Sequence, residues 1–333
     1  MSVNVIIRMI LPERTLKMSD IKKKPVILDG DPGHDDAIAL VLAAAFKDQL
    51  DIKAITAVGG NQTLAKVTLN YRRIATFLGL KDVPIAAGRE QPMLADLVVA
   101  PNYHGESGLD GPKLPDPEIP LSELSAVELM AKVLRESDEK VIIVATGPQT
   151  NVASLLLAHP ELKEKIECIS IMGGGLLKGN WTSAAEFNII VDPESADIEF
   201  RSGVPVIMAG LDVTEKAYVL PEEWDKLRGL NPVAKMVAEW CDFFYIHLKE
   251  LGWEGATLHD PCSVMVLVHP EIFTIKDYYV QIDCKGEYTR GATVPDYMGL
   301  LGQKPNCRCM MGVDRELFVK HLFEACESFG KGE

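Results

Sequence analysis

From Pro25 onward, short apolar runs alternate with longer segments of helical period, and this alternation decides most of what the chain can become. Val26-Ile27-Leu28 reads as a buried strand, Asp35 to Phe46 as a helix, Ile52 to Val58 as a second strand and Thr63 to Leu78 as a second helix. The cycle returns at Val141 to Ala145 with a helix from Asn151, at Ile166 to Met172, and at Val204 to Met208. Strands that are apolar along their whole length and joined by helical crossovers pair in parallel, and a parallel sheet needs helices over both faces. The predicted fold class is α/β, an open, mostly parallel, doubly wound sheet flanked by helices. Past Pro221 the pattern turns helical as far as Leu251, and His259-Asp260-Pro261 then opens another apolar helix. No repeat or linker interrupts the pattern. Residues 25–333 are read as a single domain and residues 1–24 as an arm or start-site artefact, with Met18 an alternative start to Met1.

In doubly wound sheets, ligands bind beyond the carboxyl ends of the strands, so the residues following each apolar run carry the functional signal. After Leu28 comes Asp29-Gly30-Asp31-Pro32-Gly33-His34-Asp35-Asp36, which places four carboxylates within eight residues at the end of one buried strand. Carboxylates buried together without a counter-charge cost several kcal/mol, on the order estimated for buried ions, so a cation is implied. Oxygen donors with no cysteine nearby favour a hard ion, calcium or magnesium. A purely structural reading, with Asp29 buried in the scaffold and Asp35 and Asp36 capping the next helix, stands beside it. An EF-hand does not fit, because Gly33 stands where that loop needs an acceptor and the closing glutamate is missing. Asp-x-Asp after a strand also opens haloacid-dehalogenase phosphatases, although there a Thr or Val closely follows the nucleophile where this chain has Pro-Gly. The Gly/Pro-rich stretch from Gly88 to Pro120, which contains His104, reads as a mobile flap.

Composition narrows the partners. A net charge of −14 repels phosphate backbones, and the longest basic run is Lys22 to Lys24, so no nucleic acid is expected. No apolar stretch is long enough to span a bilayer, so no membrane partner is expected. The odd number of cysteines, seven, scattered among apolar residues, suits reduced thiols and a cytoplasmic location. Cys307-Arg308-Cys309 lacks further ligands at zinc spacing and reads as two incidental thiols.

The segment from Asp29 to Asp36 resembles the DxDPGxDD signature of the inosine-uridine nucleoside hydrolase family. The likeness continues in order through Gly60-Asn61, His104-Gly105, Ala145-Thr146-Gly147-Pro148, Met172-Gly173-Gly174, Asn180 with Glu186-Phe187-Asn188, Gly210-Leu211-Asp212-Val213-Thr214 and His259-Asp260-Pro261. Two departures are visible: Ser183 stands where the family usually has proline, and His34 where it is more often aliphatic. The resemblance implies calcium-dependent hydrolysis of the N-glycosidic bond of ribonucleosides to ribose and free base.

That chemistry needs an activated water, stabilisation of an oxocarbenium-like transition state and help for the departing base. The resemblance makes Asp31 both metal ligand and general base, Asp36 and Asp260 further ligands of Ca2+, and Thr146 a ligand through its backbone carbonyl. Asp35, Asn61, Asn180, Glu186 and Asn188 would hold the ribose hydroxyls, with Met172 and Phe187 packed near the sugar and His104 covering the base. His259 is the candidate acid for the leaving base, since an imidazole with an ordinary pKa of about 6.5 can donate near neutrality. Its place beside Asp260 resembles the broad or pyrimidine-preferring members of the family. The roles of His247, Trp181, Phe244 and Tyr245 stay open between core and base pocket. The resemblance also implies a homotetramer or homodimer acting on small-molecule ribonucleosides. A haloacid-dehalogenase-like phosphatase and a catalytically silent nucleoside-binding protein are the alternatives.

Overall fold

The structure is a computed structural model and describes residues 22–330. The expected arm and the start-site question therefore fall, up to residue 21, outside the described residues, whereas Lys24 already belongs to the first strand. In chain order the strands are β1 (Lys24–Gly30), β2 (Leu50–Ala57), β3 (Ile85–Ala87), β4 (Val141–Ala145), β5 (Ile166–Met172), β6 (Val206–Ala209), β7 (Tyr218–Val219), β8 (Ala256–Thr257), β9 (Phe273–Tyr278), β10 (Val280–Ile282), β11 (Thr293–Pro295) and β12 (Cys307–Val313). The helices are α1 (His34–Ala45), α2 (Leu64–Phe77), α3 (Pro101–His104), α4 (Ala126–Glu136), α5 (Thr150–Ala158), α6 (Phe187–Val191), α7 (Pro193–Phe200), α8 (Leu211–Thr214), α9 (Pro221–Trp224), α10 (Pro232–Glu250), α11 (Pro261–Val268) and α12 (Arg315–Ser328).

Eight strands form one sheet in the order β3-β2-β1-β4-β5-β6-β12-β9, parallel throughout except for the edge pair β12 and β9. From β1 the chain winds outward through β2 to β3; it then returns to β4 beside β1 and winds the other way through β5 and β6. The β1–β4 boundary is therefore the topological switch point, where a doubly wound sheet opens a crevice for ligand. Successive strand residues point to opposite faces. Val26, Leu28, Ile142 and Val144 accordingly join the core beneath α1, α10, α11 and α12, while Ile27, Ile143 and Ala145 join the core beneath α4, α5 and α7. Helix α1 is apolar nearly all round and is buried from His34 to Ala44, because α11 and α12 cover the side that the sheet does not.

One local boundary shifts. β6 begins at Val206, not Val204, because Gly203 turns at positive φ and Pro205 has no N–H to give the ladder. Cys307 and Cys309, two apart on one strand, bury their sulfurs 3.6 Å from each other, and all seven cysteines are unpaired thiols. The stretch from Gly88 to Pro120 has little regular structure beyond α3, yet it is held down at several points. Asn70 donates to the Ser107 carbonyl at 3.0 Å, Arg72 to the Ile119 carbonyl at 2.8 Å, and Gln62 to the Gly105 and Glu106 carbonyls. Among the described residues no helix is long and apolar enough to cross a membrane.

Glu199 on α7 is fully buried, and neither of its carboxylate oxygens has a partner among the described residues. Burial, with the like charge of Asp29 adding to it, pushes this carboxyl from 4.5 up to about 8. A folded-state pKa above the unfolded one means that stability is complete below the ordinary value and is lost as pH rises through 8. Glu199→Met, similar in volume and unable to ionise, is expected to gain on the wild type between about pH 5 and about pH 8, by on the order of a few kcal/mol at the upper end. Urea unfolding across that range checks it, and a difference that stays flat with pH would contradict it.

Candidate active site

At the carboxyl end of β1 the chain turns through Asp31-Pro32-Gly33 into α1, so the four aspartates of the motif divide between the strand end and the helix start. Asp29 is a brace. Its Oδ1 accepts from Thr56 Oγ1 at 2.6 Å and from Asn151 Nδ2 at 2.8 Å, tying β1 to β2 and α5, and burial pushes its carboxyl up to about 7. Asp31 is fully buried; its Oδ2 accepts the Asn61 N–H at 2.5 Å, whereas Oδ1 has no partner. Glycines let the backbone close in around it: a Cβ on Gly147 would lie 2.6 Å from Oδ1, and one on Gly60 would overlap Oδ2. Asp36 accepts from Thr146 Oγ1 at 2.7 Å and from the Gly33 N–H at 3.0 Å.

Asp260 enters from the start of α11. One oxygen from each of Asp35, Asp36 and Asp260 lies within 4.8 Å of the others, all three residues being buried. Asp31 stands beside this trio and is not part of it, so the ligand set implied by resemblance overlaps the observed convergence at Asp36 and Asp260. None of the ion pairs among the described residues involves these acids. Burial pushes all four carboxyls up, with like-charge repulsion adding to it at Asp31, Asp35 and Asp260, and Asp35 reaches about 7. Thr146 reaches Asp36 through its hydroxyl, and its carbonyl accepts from Asn188 Nδ2 at 2.8 Å. This donor set is wholly oxygen, deeply buried and short of positive charge, and it fits a hard divalent cation.

Above the acids a pocket opens, lined by Asp35, Asn61, His104, Thr146, Met172, Asn180, Glu186, Phe187, Asn188, His259 and Asp260. The site residues singled out from sequence are thus all gathered here, with Asp31 and Asp36 set into the floor. Met172 ends β5, and its carbonyl accepts from Asn188 Nδ2 at 3.1 Å. Glu186 caps α6: its oxygens accept from the N–H groups of Asn188, Ile189 and Gly174, and burial pushes it up to about 7. Asn180 accepts the Phe187 N–H through Oδ1 at 3.0 Å. His259 lies between two hydroxyls, with Nδ1 2.8 Å from Thr214 Oγ1 and Nε2 3.0 Å from Thr257 Oγ1. Its imidazole is held down to about 4 by burial, below the ordinary value assumed from sequence.

This arrangement can be compared with known proteins. The sequence profile described as inosine-uridine preferring nucleoside hydrolase matches residues 26–320. The chain belongs to that family. It is 53% identical over 308 residues to the pyrimidine-specific ribonucleoside hydrolase RihA of Enterobacter sp. (strain 638), covering 92% of this chain and 98% of the relative. The RihA of Citrobacter koseri is 55% identical over 303 residues, covering 90% and 97%. Among solved structures, the purine-preferring ribonucleoside hydrolase from Gardnerella vaginalis superposes with a TM-score of 0.87 at 32% identity, covering 92% of this chain and 99% of that one.

Within this nucleoside hydrolase pocket, Ala100, Tyr103, Trp181, Phe244 and Leu248 also form wall. Trp181 is half exposed at the mouth, edge-on to Phe187 at 5.0 Å. Phe244 and Leu248, four apart on α10, share one face, a spacing that could have marked Leu248 in advance. His247 lies behind the wall, edge-on to Tyr103 at 4.6 Å, and Tyr245 turns away to donate to the Trp253 carbonyl at 3.1 Å. His34, the departure inside the motif, is buried: its Nε2 is 2.8 Å from the Asp110 carbonyl and its Nδ1 3.0 Å from His104 Nδ1. It thereby pins the 88–120 stretch to α1 and stacks on Phe243 at 4.9 Å. Ser183, the other departure, is exposed, and its carbonyl accepts the Gly179 N–H at 3.1 Å.

Proposed function

We propose that this ribonucleoside hydrolase is a Ca2+-dependent enzyme that cleaves the N-glycosidic bond with a preference for pyrimidine nucleosides, releasing ribose and the free base. The observation that carries the reading is the convergence of Asp35, Asp36 and Asp260, with Asp31 beside them and Thr146 on Asp36, beneath a pocket that also presents His259. Asp31, Asp36, Asp260 and the Thr146 carbonyl would hold the ion. When bound, such an ion supplies counter-charge to the carboxylates and acidifies water in its shell. Asp31 is the proton acceptor in this reading, since its buried Oδ1 has no protein donor and is free to take a proton. Asp35, Asn61, Asn180, Glu186 and Asn188 orient the ribose hydroxyls, for which their mixture of donors and acceptors is suited. His259, between Thr214 and Thr257, assists the departing base.

The pyrimidine preference rests on the RihA relatives, which are far more similar to this chain than the purine-preferring structural neighbour. The seven unpaired thiols fit a reducing compartment, so we place the enzyme in the cytoplasm, and the family resemblance is what implies a homotetramer or homodimer.

Reducing-sugar release tests the reading. Uridine and cytidine should be cleaved faster than inosine and adenosine by about tenfold or more, with 2'-deoxyuridine poor because it lacks part of the diol. A strong calcium chelator should abolish release, and Ca2+ should restore it. Release that survives exhaustive chelation would remove the metal from the mechanism, and tight nucleoside binding without release would mark a silent binding protein.

A further inference from the structure

Two histidines outside the active site meet at the far end of α11. That helix starts beside Asp260 and runs to Val268, a length of roughly 12 Å at 1.5 Å per residue. His269 closes it in a non-helical conformation, because the following Pro270 disfavours a helical residue before it. The short 3-10 turn Pro270–Ile272 then presents Glu271. His321 comes from the middle of the C-terminal helix α12.

The two imidazoles lie face to face, with centroids 3.7 Å apart and planes 8° from parallel, and the edge of Phe46 backs His269 at 5.6 Å. His269 Nδ1 is 3.0 Å from Glu271 Oε1, and His321 Nδ1 is 2.9 Å from Glu324 Oε2. One candidate ligand atom from each of His269, Glu271 and His321 falls within 4.8 Å of the other two. Side-chain exposures of 21% for His269 and 15% for His321 leave the pair ordered by its neighbours yet within reach of solvent.

We propose that His269, Glu271 and His321 form a second metal site, selective for a borderline transition-metal dication of the zinc class and independent of the carboxylate centre. Two imidazoles stacked this closely repel when both are charged. As neutral rings each keeps a lone pair, and a cation is the partner that both lone pairs and the Glu271 carboxylate can share. Two nitrogens and one carboxylate oxygen are the donors that zinc, cobalt, nickel and copper favour over calcium or magnesium, the reverse of the all-oxygen preference at the other end of α11. Glu324, taking the Nδ1 proton of His321, has the place of an outer carboxylate that orients a ligating imidazole. Parallel rings direct their lone pairs side by side, so binding turns the stack open, which the partial exposure of both side chains permits. An ion held there ties the C-terminal helix to the end of α11.

The test titrates the full chain with Co2+ or Zn2+ in saturating Ca2+, reading cobalt d–d absorption and the thermal midpoint. The wild type should take up a calcium-resistant ion and melt higher with Zn2+. His269→Ala and His321→Ala should each weaken uptake by about 10- to 100-fold or more and lose the zinc-dependent rise. Ribose release by both variants should match the wild type, since neither residue lines the pocket. Absence of calcium-resistant uptake at roughly millimolar metal, or uptake unchanged in the double variant, would overturn the proposal.

Discussion

Asp31→Asn should lose ribose release by at least about 10³-fold while remaining folded. Two functions are proposed for this side chain, ligand and proton acceptor, and an amide serves neither well. The fold should survive because the amide oxygen of the substituted side chain can still accept the Asn61 N–H that Asp31 Oδ2 accepts now. Stability should in fact rise in metal-free buffer. Burial first, then Asp36 and Asp35, pushes the Asp31 carboxyl well above its ordinary range, so the folded state pays for ionising it. For a raised pKa, stability is complete at low pH and is lost as pH climbs above the ordinary carboxylate range. The variant, with nothing to ionise, should therefore gain on the wild type toward neutral and alkaline pH. Turnover kinetics together with denaturant unfolding at two pH values separate the two effects. Near-normal turnover would take Asp31 out of the acceptor role, and lost turnover with lost stability would make it a folding residue.

The floor of this site was legible in the sequence because it is local. Asp29 to Asp36 span one strand end and one helix start, and alternation alone placed both elements. The partners brought in from elsewhere, Thr146 and Asp260, were legible only through resemblance, because no periodicity says that β4 lies beside β1 or that α11 points its first turn at α1. What sequence reading missed is of this second kind. Thr214 was part of a quoted motif without a role, and Thr257 was not noticed. They meet His259 because α8 and β8 converge on it from separate parts of the chain. The edge strand β9 escaped as well, since its burial alternates irregularly and its charged Lys276 and Asp277 mask the pattern. The expected flap was a reading of composition. Its Gly and Pro content identifies irregular backbone correctly but says nothing of the hydrogen bonds from Gln62, Asn70, Arg72 and His34 that hold it.

His259→Ala should cost about 10²- to 10³-fold on uridine and cytidine but less than about tenfold on p-nitrophenyl riboside. The contrast follows from where the negative charge goes. A pyrimidine base departs as a poor anion unless a proton or a strong hydrogen bond meets it, whereas p-nitrophenolate needs neither. The geometry supports such assistance: both ring nitrogens lie within 3.0 Å of threonine hydroxyls, which donate or accept as needed, so the ring can change tautomer without losing a partner. The fold should tolerate the change, because the two threonines that lose the imidazole can turn to water in the space it leaves. If the losses were instead equal on natural and activated substrates, His259 would be acting on the ribose or on the shape of the metal floor beside Asp260. The Ca2+ affinity of His259→Ala would then decide between those two: weaker Ca2+ binding assigns the effect to the floor, and unchanged Ca2+ binding assigns it to the ribose.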